Sequence, residues 1–213
     1  MPKIAAATVA EHRRQMNEKL LDATERLLAH AQDSDTEIPL KVGTIVKEVG
    51  IARSSFYRYY DSVDELVAAL VIRDFPRWKN EVAKEVAAKA SPIDKARAYA
   101  RSNIKLATDQ EHSWRTAAFS YHFHEESLRE IATLHAELHD ILVAAIVDIP
   151  AVPTADGHLL AQTIQNLVNT AVTSVEKMKL SDAALHRYLN WNEAAVEAII
   201  HAASREPSLQ QHG

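Results

Sequence analysis

The sequence predicts an all-α fold of about nine helices, and three observations carry that expectation. Only 4 Gly and 7 Pro interrupt 213 residues. Ala, Leu, Glu and Lys, all strong helix formers, dominate the rest. Alternating apolar runs of strand type and hairpin dipeptides are absent. With 47% hydrophobic residues, the chain can bury one large or two small cores. The expected organisation is an N-terminal domain over 1–62, a helical body over 63–203 and a disordered tail over 204–213.

Residues 1–12 read as a frayed arm, either a solvated terminus or one from which Lys3 and, just beyond it, Arg13 and Arg14 would reach a minor groove. Leu20, Leu21, Thr24, Leu27, Leu28 and Ala31 then form the apolar stripe of a first helix. Gln32 to Pro39 is a polar loop.

Leu40 to Leu66 organises the chain. Val42, Ile45, Val46 and Val49 fall on one face of a short helix. Gly50 suits the left-handed conformation that ends a helix, and Ile51 packs back across the turn. A second helix restarting at Ala52 would turn Phe56 and Tyr60 inward, with Tyr59 partly buried. Arg53, Ser54, Ser55, Tyr57 and Arg58 would then face out, donors and two cations without a carboxylate, which suits phosphates and base edges. Asp61 and Ser62 supply capping side chains for the next helix. The pattern reads as a helix-turn-helix contacting double-stranded DNA through Thr44, Arg53, Ser54, Ser55, Tyr57, Arg58 and Tyr59.

Here the residues resemble the DNA-binding signature of the TetR family of transcriptional repressors. Ile45, Lys47, Gly50, Ile51, Tyr57, Tyr60, Glu65 and Leu66 stand at the matching places. The sequence departs from that signature at Lys41, Gly43, Val46, Ala52 and Val63, the last standing where a phosphate-contacting lysine is usual. The signature covers about a quarter of the chain; length and helical character extend the likeness. The resemblance implies a ligand-responsive repressor, not an enzyme, with a small-molecule effector, no obligatory cofactor, and a homodimer reading a palindromic operator.

Beyond the motif, a helix from Val63 to about Ala88 carries Pro76, which implies a kink or a restart. Ser91 and Pro92 cap a helix to about Thr108. Further helices follow over Ser113 to Tyr121 and Glu125 to Val147, then a stiff break at 149–153. Two last helices run over Asp156 to Lys179 and Ser181 to Ala203.

From Leu159 to Val175 no residue is charged: an aliphatic arc stands opposite neutral amides, which implies burial on both sides, by a partner subunit or around a ligand. The resemblance favours dimerisation through the last two helices, placing Leu160, Ile164, Leu167, Val168, Ala171, Val175, Tyr188, Trp191, Ala195 and Ile199 at the interface. It also implies an effector cavity between the middle helices. Candidates for its lining are Trp78, Tyr99, Asn103, Trp114, Arg115, Phe119, His122, His135, Asn166 and Asn169.

Nine of the 11 histidines follow residue 60. His135 and His139, at i and i+4, with His122 define an alternative: a helical metal-binding protein, either a metal-sensing repressor or a metalloenzyme. On the helical wheel His135 falls within an apolar arc, so a hydrogen-bonded core histidine is the competing reading. No Glu-x-x-His or His-Glu-x-x-His occurs, and the chain has no cysteine. Net charge is −5, with 9 basic against 8 acidic side chains over 1–60 and 15 against 21 after that. No apolar run approaches the ~20 residues that span a bilayer, and the first residues are too polar for a signal peptide. A cytoplasmic protein without membrane contact is expected.

Overall fold

The computed structural model describes residues 2–33, 40–109, 114–118, 120–178 and 180–205, among which nine helices and no strand occur. They fall into two compact units, Met1–Asp74 with Gln110–Ile131, and Phe75–Asp109 with Ala132–Gly213.

The first unit is built on α1 (Pro2–Asp33), against which α2 (Val42–Val49) and α6 (Trp114–Ala118) pack. Helix from Pro2 onward corrects the expectation of a frayed arm over 1–12. Leu20, Leu21 and Leu28 are buried with Ile45, Val46, Phe56, Tyr60, Leu66, Val67, Leu70, Trp114 and Ala118. Thr24, also buried, returns its hydroxyl proton to the Leu20 carbonyl at 2.8 Å, so its burial leaves no unsatisfied donor. The α2 helix ends at Gly50 with φ 76° and ψ 34°; the amides of Gly50 and Ile51 both donate to the Val46 carbonyl. The α3 helix covers only Arg53–Phe56, so it starts one residue after the expected Ala52 and does not reach Tyr60. Ala52 offers no capping oxygen, and the chain after Phe56 closes through tighter bonds, Arg58 to Ser55 and Tyr59 to Phe56. Phe56 and Tyr60 are still buried.

The α4 helix (Val63–Ala87) begins with the Ser62 hydroxyl accepting from the Glu65 amide at 3.1 Å, while the Glu65 carboxylate accepts from the Asp61 amide at 2.6 Å. Both bonds satisfy amides that a helix start leaves open. Within the first unit, Arg73 of α4 reaches Glu18, Asp22 and Glu25 on α1 at 3.3, 2.6 and 2.7 Å. The helix runs through Pro76 without ending, so the restart reading is not what the chain does.

Trp114 explains why the first unit extends beyond residue 62. It is fully buried in the same core as Leu20 and Phe56, and Tyr121 accepts a 3.0 Å hydrogen bond from the Leu40 amide just ahead of α2. Burying an indole there removes its whole apolar surface from water, on the order of 2–3 kcal/mol or more.

The second unit packs α5 (Pro92–Leu106), α8 (Thr154–Lys177) and α9 (Asp182–Ala203) together with α4 from Phe75 and α7 (Glu125–Val147) from Ala132. Ser91 caps α5 by accepting from the Asp94 amide at 3.0 Å, and Ser181 caps α9 through the Ala184 amide at 3.3 Å. The α5 and α9 helices pack against each other, and the ion pairs Arg101–Glu193 at 2.7 Å and Arg97–Glu197 at 3.3 Å join them. Leu142, Ile146, Ile164, Val196 and Ile200 fill the core. Among the described residues no helix is long and apolar enough to cross a membrane.

Candidate nucleic-acid interface

The Gly50 turn sets α3 beside α2 and turns its apolar edge into the first unit's core through Phe56. What remains outward is a short polar ridge. Arg53, Ser54, Tyr57 and Arg58 are exposed, Ser55 and Tyr59 half-buried, and Thr44 of α2 is exposed as well. Tyr57 is not loose on this ridge. Its ring stands edge-on against Phe56, centroids 5.4 Å apart at 85°, and its hydroxyl lies 3.5 Å from Arg53 Nη2. An aromatic ring fixed this way presents a hydroxyl and a flat face at little entropic cost.

No ion pair involves Arg53 or Arg58 among the described residues. Their charge is therefore available to an outside anion. Lys41 and Lys47 add two exposed cations from α2 and its entry. Behind the ridge, the Tyr60 hydroxyl donates to Asn17 Oδ1 on α1 at 2.6 Å, and burial pushes the Tyr60 phenol up to about 12. Asn17 had no signal in the sequence, because a polar residue on a helix face reads as solvated until its partner from another element is known.

The effector candidates separate. Trp78, Tyr99 and Asn103 come together within the second unit: the Trp78 indole donates to Asn103 Oδ1 at 2.9 Å, and the Asn103 amide donates to the Tyr99 carbonyl at 2.8 Å. The Tyr99 hydroxyl donates to Gln165 Oε1 at 2.6 Å, and Gln165 donates to Asn169 at 2.7 Å. Asn166 and Asn169 themselves are exposed on the outward arc of α8, not enclosed. In the first unit, Trp114 is core, and its indole nitrogen has no acceptor among the described residues. Arg115 pairs with Asp74 at 2.6 Å. His122 is exposed, and Phe119 lies outside the described residues.

His135, expected to face the interior, is exposed and stands edge-on to Phe75 at 4.8 Å; His139 is half-buried, its Nδ1 3.3 Å from Gln165 Oε1. Among the described residues no group of three or more His, Asp or Glu side chains gathers as a metal site. The His-x-x-x-His pair therefore lacks a third ligand there.

The interface expectation for α8 is corrected. Leu160, Ile164, Val168, Ala171 and Val175 are buried in the chain's own core, and Leu167 packs against it. The aliphatic arc is consumed by α5 and α9. Tyr188, Ala195 and Ile199 are half-buried, and Trp191 is 68% exposed. The free face of α8 is the other arc, Gln162, Thr163, Asn166, Asn169, Thr170 and Thr173, with Leu159 exposed beside it.

No family model and no curated protein matches the chain. Solved structures share its fold. One is the transcriptional regulator FadR from Bacillus subtilis in complex with stearoyl-CoA, 18% identical over 86% of this chain and 99% of that one, with a TM-score of 0.65. A TetR transcription regulator from Haloarcula marismortui is 17% identical over 89% and 98%, TM-score 0.62. AibR, solved with isovaleryl coenzyme A and operator DNA, is 16% identical over 85% and 97%, TM-score 0.61. The chain has the fold of these regulators.

Proposed function

We propose that the protein is a sequence-specific, DNA-binding transcriptional regulator of the TetR type, a ligand-responsive repressor that reads a palindromic operator as a homodimer. The observation that carries the reading is the outward ridge of Arg53, Ser54, Tyr57 and Arg58, cationic, hydroxyl-bearing and unpaired by carboxylates among the described residues. A ridge of this kind supplies phosphate contacts for affinity and donors for base edges. Net charge of −5 does not oppose it, because binding responds to local field.

Dimerisation is proposed through the outward arc of α8 and Trp191 of α9. An indole 68% exposed on α9 and an exposed, uncharged face on α8, the helix packed against it, have the composition of an interface core. Two heads joined this way would read half-sites related by the same two-fold axis. The effector is proposed to be a small molecule bound by the second unit. Acyl-CoA thioesters are the first class to test, because two proteins of this fold are solved with them. An effector acts only through its difference in affinity between the DNA-bound and released spacings of the heads.

The test is a gel shift on the DNA upstream of the protein's own coding region, with salt and unlabelled competitor titrated. Wild type should form a specific, salt-sensitive complex. R53A and Y57A should each lose it while keeping helical content and melting behaviour. Retention of specific binding by both variants would falsify the assignment.

A further inference from the structure

We propose that Arg13, together with Arg14, Asn17 and Tyr59, forms a seat for a DNA backbone phosphate lying just outside the bases read by α3; the inference rests on the DNA-binding reading above. These side chains and Ala10 line a surface cleft of about 340 Å³. One wall is α1 and the other is the turn that follows α3, so the cleft adjoins the recognition ridge through Tyr59, the neighbour of exposed Arg58.

The cleft is held in place from behind. Asn17 accepts the Tyr60 hydroxyl proton at 2.6 Å, which fixes α1 against the end of the recognition segment. Arg13 lies one turn, about 5–6 Å, N-terminal to Asn17 along the same helix. Its position therefore follows that of the ridge. Arg14 is engaged by Glu11 at 2.8 Å, whereas Arg13 is exposed and has no ion pair among the described residues. One uncompensated guanidinium in a cleft lined also by Asn17 and Tyr59 matches a phosphodiester, a single negative charge with two accepting oxygens.

The helical state of this segment decides which part of DNA it meets. An α-helix with side chains is about 10–12 Å across, and the minor groove of B-DNA is about 6 Å wide. A helical α1 cannot enter it as an extended arm would. Arg13 is thereby directed to the backbone, and its contribution carries no base preference.

The experiment compares wild type, R13A, R13K and R53A on two duplexes containing the same operator, one trimmed flush with the recognised bases and one extended by about five base pairs at each end. Wild type should bind the extended duplex more tightly. R13A should lose that preference and lower the slope of log K against log salt by about one per protomer, while its discrimination against competitor is unchanged. R13K, which keeps the charge, should restore most of the slope. R13A showing the full wild-type flank preference and slope overturns the proposal, and so does wild type binding both duplexes equally. If R53A meanwhile loses specificity, the DNA-binding reading survives that failure; wild type that binds neither duplex removes both. Arg13 is solvent-exposed on a helix and alanine favours helix, so thermal melting separates any folding defect from lost contact.

Discussion

Asn17 and Tyr60, 43 residues apart, are joined by a 2.6 Å hydrogen bond in which the phenol donates to the amide oxygen. The bond closes the recognition segment onto α1. Tyr60 is 7% exposed, so its hydroxyl has little access to water if Asn17 is removed. N17A should therefore destabilise by about 1–3 kcal/mol, the range for leaving a buried group unsatisfied, and Y60F by only about 0.5–1.5 kcal/mol, because it removes the buried hydroxyl itself. Urea unfolding of the two variants measures the difference, and equal losses would argue that the bond contributes nothing beyond packing.

The same tyrosine gives stability an alkaline limit. Burial, with Glu65 and Glu18 adding to it, raises the folded phenol to about 12, against about 10 in an unfolded chain. The neutral form is favoured in the folded state. Its stabilising contribution is complete below pH 10 and is lost as pH rises from 10 towards 12, where only the unfolded phenol ionises freely. Tyr99 and Tyr121 are raised by burial as well and act in the same direction. Urea midpoints measured across pH 9–12 should fall, and Y60F should show a shallower decline than wild type.

Asp74 and Arg115 form a pair of the buried kind: Nη2 to Oδ2 is 2.6 Å, with side-chain exposures of 9% and 17%. Nε of Arg115 also contacts Oδ2, at 3.2 Å. Removing Asp74 takes a carboxylate from a guanidinium that is only 17% exposed, so D74A should destabilise, by up to about 3–5 kcal/mol. The double variant D74L/R115M should recover much of that loss. A double variant no more stable than D74A would mean that the two charges do not depend on one another.

Gly43 and Gly50 predict opposite signs for the same substitution. A Cβ meets nothing within 4 Å at either position. Gly50 has φ 76°, so G50A should cost about 1–2 kcal/mol from backbone conformation alone. Gly43 lies within α2 at ordinary helical φ, so G43A should stabilise by roughly 0.5–1 kcal/mol. Denaturation midpoints moving in the same direction would contradict this account.

How far the sequence could be read depended on whether one helix sufficed to decide. The α2 stripe, the Gly50 stop, the Ser91 cap and the inward turn of Phe56 and Tyr60 are local consequences of spacing and side-chain chemistry, and the chain adopts them. The arm over 1–12 reads as frayed because chain termini commonly are, yet a helix can be solvated on most sides, as exposed residues 8–15 are. His135 sat within an apolar arc of the α7 wheel, yet the wheel does not say which part of an arc is covered. Tertiary partners were beyond reach for the same reason: nothing in Trp114 itself announces burial beside Leu20, and nothing in Asn17 announces Tyr60.

The α8 helix shows the sharpest form of that ambiguity, and it yields a direct test of assembly. Both arcs lack charge, and periodicity cannot say which one meets the chain's own core. Leu160 is 7% exposed and packs within the second unit, while Trp191 on neighbouring α9 is 68% exposed. The two positions should therefore fail differently. L160A should lower the unfolding free energy by about 2–5 kcal/mol, the cost of a truncated core side chain, with assembly following only from lost folding. W191A should leave the melting of the isolated subunit nearly unchanged, yet weaken dimerisation by about 2 kcal/mol, some thirtyfold in Kd, if the indole anchors the interface. Sedimentation velocity over a concentration series reads this directly. A W191A dimer as tight as wild type would remove Trp191 from the interface and leave the amide arc of α8 to carry it alone.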